Sequence, residues 1–162
     1  MSYQPCTTFE GATEVIKRNG WENGPGASKG ELKTDGKNGY WSGQANMYVA
    51  EKVMPALHKV FDMVPGTPYW FSFDYRIVSA PSEFFYIKVT DPNRWVMAST
   101  PVETNTPVNQ WLTGREFGSN MVPSAELWIG LSGPRHLEPF LIEFDNICVR
   151  ERPMDSWPTA TR

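Results

Sequence analysis

The chain has 162 residues, with 15 Lys and Arg against 18 Asp and Glu and a net charge of −3. Nucleic-acid binding leaves a basic footprint that this composition lacks, so DNA and RNA are excluded as partners. No 18 apolar residues run together to cross a bilayer as a helix, so no membrane partner is expected.

The first residues, "MSYQPCTTFEG", have no charged segment followed by an apolar run, so no secretory signal is read. The protein is expected to work inside a cell, to leave by a route such as lysis, or to have lost a signal. Cys6 lies near the start and Cys148 near the end. Without a sign of an oxidising compartment the reading is two small buried thiols. The alternative is a disulfide closing nearly the whole chain, which the loop-entropy model values at about 4–5 kcal/mol.

Asn-Gly steps at 19–20, 23–24 and 38–39 predict turns, since both residues tolerate positive φ. Alternation and β-propensity predict strands over 39–42, 46–53, 57–63, 68–77, 84–90, 94–99, 110–117, 126–132 and 140–149. A helix from Ala45 is the alternative for "MYVAEKVMPALHKVF", and Pro55 argues against it. Nine short strands separated by turn signals point to an all-β antiparallel β-sandwich or jelly roll. The domain is placed at 1–151, with an N-terminal arm, and the tail at 152–162.

Strand 68–77 is the anchor of this reading. Successive side chains on a strand point to opposite faces. Tyr69, Phe71, Phe73, Tyr75 and Ile77 form a core side, while Trp70, Ser72, Asp74 and Arg76 form a wet one. By the same rule Phe85, Ile87 and Val89 point inward, as do Leu127, Ile129 and Leu131. The outward set, Trp70, Asp74, Arg76, Phe84, Tyr86, Lys88, Glu126 and Trp128, is expected to gather on one sheet face. Indole and phenol rings lie well against the C–H face of a pyranose, and flanking charges hydrogen-bond hydroxyls. The same residues suit a protein contact, because aromatics and Arg are also what interface hot spots prefer.

The order of several segments resembles the jelly-roll carbohydrate-binding modules of families 4, 9 and 22. These are "TTFEG" (7–11), "NGW" (19–21), "LHKVFDMVPGTPYWFSFDYR" (57–76), "NQWLTGREF" (109–117), "AELWIGLSG" (125–133) and "FLIEFDNICVRE" (140–151). The resemblance runs from about residue 8 to residue 151. It implies a jelly roll whose aromatic face is a glycan groove, with Trp21, Trp41 and Trp111 structural. It also implies a structural calcium between the first and last strands, at positions matching Thr8, Glu10 and Asp145, with a loop carbonyl near Gly30 or Gly36. Oxygen donors of this kind suit a hard cation.

No Gly-x-Ser-x-Gly elbow, His-Glu-x-x-His helix or P-loop occurs. His58 reads as a strand-surface residue and His136 as part of a turn. A two-carboxylate glycosidase built on Asp74 and Glu126 is the remaining catalytic possibility, and the protein is read as a non-enzyme.

Jelly rolls of this type also serve as decoration or cement proteins on tailed-phage capsids, which need no signal. The leading expectation is therefore a virion surface protein that binds capsid proteins or its own copies and touches glycans. In that role the charged aromatic face, or the tail with Trp157, grips the shell. The alternative is an extracellular, soluble polysaccharide-binding module, with a small glycosidase third.

Overall fold

The computed structural model describes residues 6–45, 53–61, 69–94, 96–115, 117–119, 126–134 and 138–151. In chain order the elements are β1 (Cys6–Thr7), the short helix α1 (Glu14–Arg18), β2 (Glu22–Asn23), β3 (Ala27–Asp35), β4 (Asn38–Ala45), β5 (Met54–Val60), β6 (Tyr69–Ile77), β7 (Phe85–Thr90), β8 (Val96–Val102), β9 (Leu112–Thr113), β10 (Phe117–Ser119), β11 (Glu126–Ser132) and β12 (Leu141–Glu151).

They form two antiparallel sheets of a jelly-roll sandwich. Sheet A runs β10-β6-β12-β4-β3, with β1 beside β12 and β9 beside β6. Sheet B runs β2-β5-β11-β7-β8. Alternation puts the apolar side of each strand between them. On β6 the five odd-numbered residues are at most 5% exposed, and the even-numbered ones between them are half-buried. Phe85, Ile87 and Val89 on β7, and Leu127, Ile129 and Leu131 on β11, face them from sheet B. Trp41 stacks on Phe144 at 5.7 Å between ring centroids, and Phe73 meets Phe144 edge-on at 6.0 Å. Trp21 and Trp41 are buried, as the sequence implied.

Several boundaries differ from expectation for local reasons. β3 was not foreseen, because "ASKGELKTD" has one large apolar residue, Leu32, and lies at a sheet edge where little needs burying. Its hairpin with β4 turns at Gly36, in the left-handed region at φ 63°, so the turn falls two residues before the Asn38-Gly39 step. The expected strand 110–117 divides into β9 and β10. Between them Gly114 donates its N–H to the Phe73 carbonyl at 2.9 Å, and its backbone lies against the Phe73 ring where no side chain fits. α1 is capped by Thr13, whose hydroxyl accepts the Ile16 N–H at 3.2 Å, and it stops at Asn19, with φ 46°. Pro55 lies inside β5 beside a register shift in β11, a place where a missing N–H is tolerated. The expected strand at 46–53 lies, up to residue 52, outside the described residues, as do His136 and the tail with Trp157.

Cys6 and Cys148 are joined by a disulfide, which corrects the expectation of free thiols. β1 pairs with β12 and sets the two cysteines opposite each other. The pairing of two strands from opposite ends of the chain is a tertiary fact that spacing does not show.

Candidate functional site

Sheet B presents one rung of outward residues across all its strands: Glu22, His58, Trp128, Thr90 and Val96 stand side by side. Trp128 is half-buried, and its indole N–H donates to the Glu126 carboxylate at 2.9 Å. The same carboxylate lies 3.5 Å from His58 Nδ1, while Glu22 lies 3.8 Å from His58 Nε2. A cavity of about 250 Å3 opens here, walled by Pro25, Met54, Pro55 and Trp128, with His58, Glu126 and Arg94 as its polar groups. Within this rung Thr90 is fully buried, and among the described residues its hydroxyl has no hydrogen-bond partner. Further along the same face Phe84 and Tyr86 meet edge-on at 4.8 Å, and the Lys88 ammonium lies 5.4 Å from the Tyr86 ring.

The expected single face is therefore split. Phe84, Tyr86, Lys88, Glu126 and Trp128 lie on sheet B, but Trp70, Asp74 and Arg76 belong to β6 and point outward from sheet A on the other side of the sandwich. Alternation gives the side of a strand but not the sheet to which that strand belongs. The split also dissolves the Asp74–Glu126 pair. Sheets pack about 10 Å apart and these side chains diverge from both, whereas glycoside hydrolysis needs two carboxyls flanking one bond.

On sheet A the outward groups around Arg76 satisfy one another. Glu31, Ser42, Glu143 and Arg76 form a rung. Glu143 is 4% exposed and accepts from Arg76 Nε at 2.6 Å. The guanidinium lies 4.9 Å from the Tyr40 ring centroid and 4.6 Å from that of Trp111. Burial works against the Arg76 charge, but the Glu143 bond and charge, with Tyr40 and Asp35, outweigh it and hold its pKa above the ordinary value. Trp111 is thus a half-buried lid on Arg76 rather than a core residue. Trp70 lies beneath Arg150, at 5.8 Å. Sequence reasoning passed over Tyr40 and Glu143. The signal was there, since Trp41, Ile142 and Phe144 point inward and their neighbours must point out.

The expected calcium ligands come together in part. Asp145 is 2% exposed, and its pKa is pushed up to about 6 by burial and by the charges of Asp74 and Glu10, against bonds from the Asn146 backbone and Asn38. Glu10 accepts the Gly39 N–H at 3.3 Å, while Thr8 is exposed. Asp74 accepts from Thr113 at 3.2 Å and from Asn146 at 2.9 Å. Oxygen donors of this kind have the right chemistry for a hard cation. Among the described residues, however, no group of three or more His, Cys, Asp or Glu side chains is arranged to hold a metal ion. An ion there would need main-chain carbonyls as well.

No family model matches the chain, and no curated protein matches it. Solved structures do. The CBM22-1 xylan-binding domain of Paenibacillus barcinonensis Xyn10C is 15% identical, with a TM-score of 0.56, over 90% of this chain and 92% of that one. TmCBM27, a carbohydrate-binding module studied for mannan recognition, is 13% identical with a TM-score of 0.58, over 93% and 97%. The C-terminal family 22 module of Clostridium thermocellum Xyn10B is 14% identical, at 0.53, over 92% and 94%. The chain has the jelly-roll fold of carbohydrate-binding modules. At these identities the likeness is one of fold.

Proposed function

We propose that the protein is a non-catalytic polysaccharide-binding module whose glycan lies on the outer face of sheet B. The observation that carries this reading is Trp128, an indole held by Glu126 at 2.9 Å along an open cavity. Its ring offers an apolar platform to a sugar's C–H face, and His58, Arg94 and Glu126 supply hydrogen bonds at its edge. Tyr86 and Phe84 extend the platform along the sheet. Two carboxylates at the Trp128 rung disfavour an anion, so the ligand is an uncharged chain. The structural neighbours described as binding xylan and recognising mannan support this class of ligand. The Cys6–Cys148 disulfide supports an extracellular setting, where such bonds persist.

The capsid-decoration expectation has less behind it. The tail that was to grip a shell lies outside the described residues, and the solved relatives named above are sugar binders. The decisive experiment is calorimetric titration with soluble xylan and mannan oligosaccharides. Saturable binding that weakens about tenfold in Trp128→Ala and is unchanged in Trp70→Ala is the expected result. No binding to either, or equal loss in both variants, would remove the reading.

We also propose that the Asp145 cluster takes a calcium ion, which would relieve the repulsion among Asp145, Asp74 and Glu10. Calcium should then raise the melting temperature and a chelator lower it. A melt indifferent to both would dismiss the ion.

A further inference from the structure

Sheet A carries a cavity of its own, about 450 Å3, on the side of the sandwich away from Trp128. That volume lies within the usual range for ligand pockets. β3 supplies Lys29, Glu31 and Lys33, β4 supplies Ser42 and Gln44, and Leu141 of β12 forms part of the wall. The register sets these groups close together, with Gln44 beside Ser28 and Leu141, and Ser42 beside Glu31 and Glu143. A bulge in β3 between Ser28 and Glu31 holds Lys29 at φ 54°.

Three observations point to a ligand. Ser42 is 1% exposed yet lines the cavity, and among the described residues its hydroxyl has no hydrogen bond. The Gln44 amide, half-buried on the same wall, likewise has none among the described residues. Buried polar groups normally find a partner, and such groups lining a cavity can find one in a ligand. Finally, the charges do not cancel. Lys33 meets Glu31 at 3.5 Å, which leaves Lys29 as a cation without an ion pair among the described residues. The Arg76–Glu143 pair beside Ser42 is neutral as a unit and adds no net charge there. The one aromatic residue of the lining, Phe140, is buried, so a stacking platform is absent among the described lining residues.

We propose that this groove binds an anionic sugar, with its carboxylate or sulfate on Lys29 and Lys33 and its hydroxyls on Ser42 and Gln44. The chemistry is the reverse of the Trp128 rung, where carboxylates border an indole. The proposal stands independently of the neutral-glycan reading of sheet B.

The test titrates the isotope-labelled protein with trigalacturonate, with a heparin-derived tetrasaccharide, and with xylohexaose as the neutral control. Amide shifts report the location, and calorimetry at low and high salt reports the affinity. The expected result is that one of the anions moves the Ser42 and Gln44 amides with an affinity that falls as salt rises. A response to trigalacturonate assigns a carboxylate ligand, and a response to the heparin fragment alone assigns a sulfate ester. Lys29→Glu, at an exposed site, should weaken that binding about tenfold at an unchanged melting temperature. Gln44→Ala should also weaken it, and Trp128→Ala should leave it intact. The proposal is overturned if neither anion moves those amides, if xylohexaose moves them as strongly, or if Lys29→Glu binds like the unaltered protein.

Discussion

The outer faces of the two sheets are furnished alike, each with aromatic rings, a cation and a carboxylate, and they use these groups in opposite ways. On sheet A the rings of Tyr40 and Trp111 close over Arg76, and Glu143 is buried against it. On sheet B Trp128 is tied at its N–H edge only, and its neighbours His58 and Glu126 stay partly open, at 28% and 30% side-chain exposure. The first arrangement spends its polar groups on one another and stiffens the fold. The second leaves them partly exposed. The same residue types therefore say little about function until their partners are known.

This contrast predicts a double dissociation: changes to the Arg76 cluster or the disulfide of sheet A should alter stability and spare neutral-sugar binding, and changes at the Trp128 rung of sheet B the reverse. The largest effect belongs to the staple at the edge of sheet A. Replacing both Cys6 and Cys148 by Ser should lower unfolding free energy by about 4–5 kcal/mol in the loop-entropy model, measured by urea denaturation. Next, Arg76→Ala strands the buried Glu143 carboxylate and should remove about 3–5 kcal/mol. Sugar affinity in the surviving folded fraction should be unchanged, and a loss of affinity there would blur the distinction between the faces.

Asp145 gives a signed pH effect. Its folded pKa of about 6 lies above its ordinary value, so the folded chain holds the proton more tightly than the unfolded one. Stability from this group is greatest at low pH and falls as pH rises through its folded pKa, reaching a deficit of roughly 2–3 kcal/mol above it. Asp145→Asn should therefore stabilise the cation-free protein at neutral pH and flatten the pH profile of its melting temperature. If calcium binds, it should narrow the gap by stabilising only the unaltered chain. The smallest energetic effect is Trp128→Ala. It should cost about tenfold in glycan affinity, or about 1.4 kcal/mol, while moving the melting temperature little. A large drop in stability instead would make Trp128 a second Arg76-like structural device.

Much of the sandwich was legible because its signal is local. A period of two in "YWFSFDYRI" separates buried from wet residues without any knowledge of neighbours. Trp41 and Trp21 were readable as core, while Trp111 was not, because its place depends on Arg76 from another strand. What remained hidden was partnership. Alternation cannot say that β6 and β11 lie in different sheets, so the expected ligand face merged two surfaces. A polar edge strand such as β3 gives almost no periodic signal, yet it supplies a third of the lining residues of the second cavity. For Cys6 and Cys148 the compartment signal favours thiols over the disulfide alternative, and the pairing of β1 with β12, which spacing does not show, decides it the other way.

That bond spans 142 residues of sequence and joins the first strand to the last. Tension applied across the two ends of the described chain would pass through a single covalent link, and the enclosed strands would carry almost none of the load. A molecule pulled by both of its ends could stretch its tethers while both sheets kept their shape.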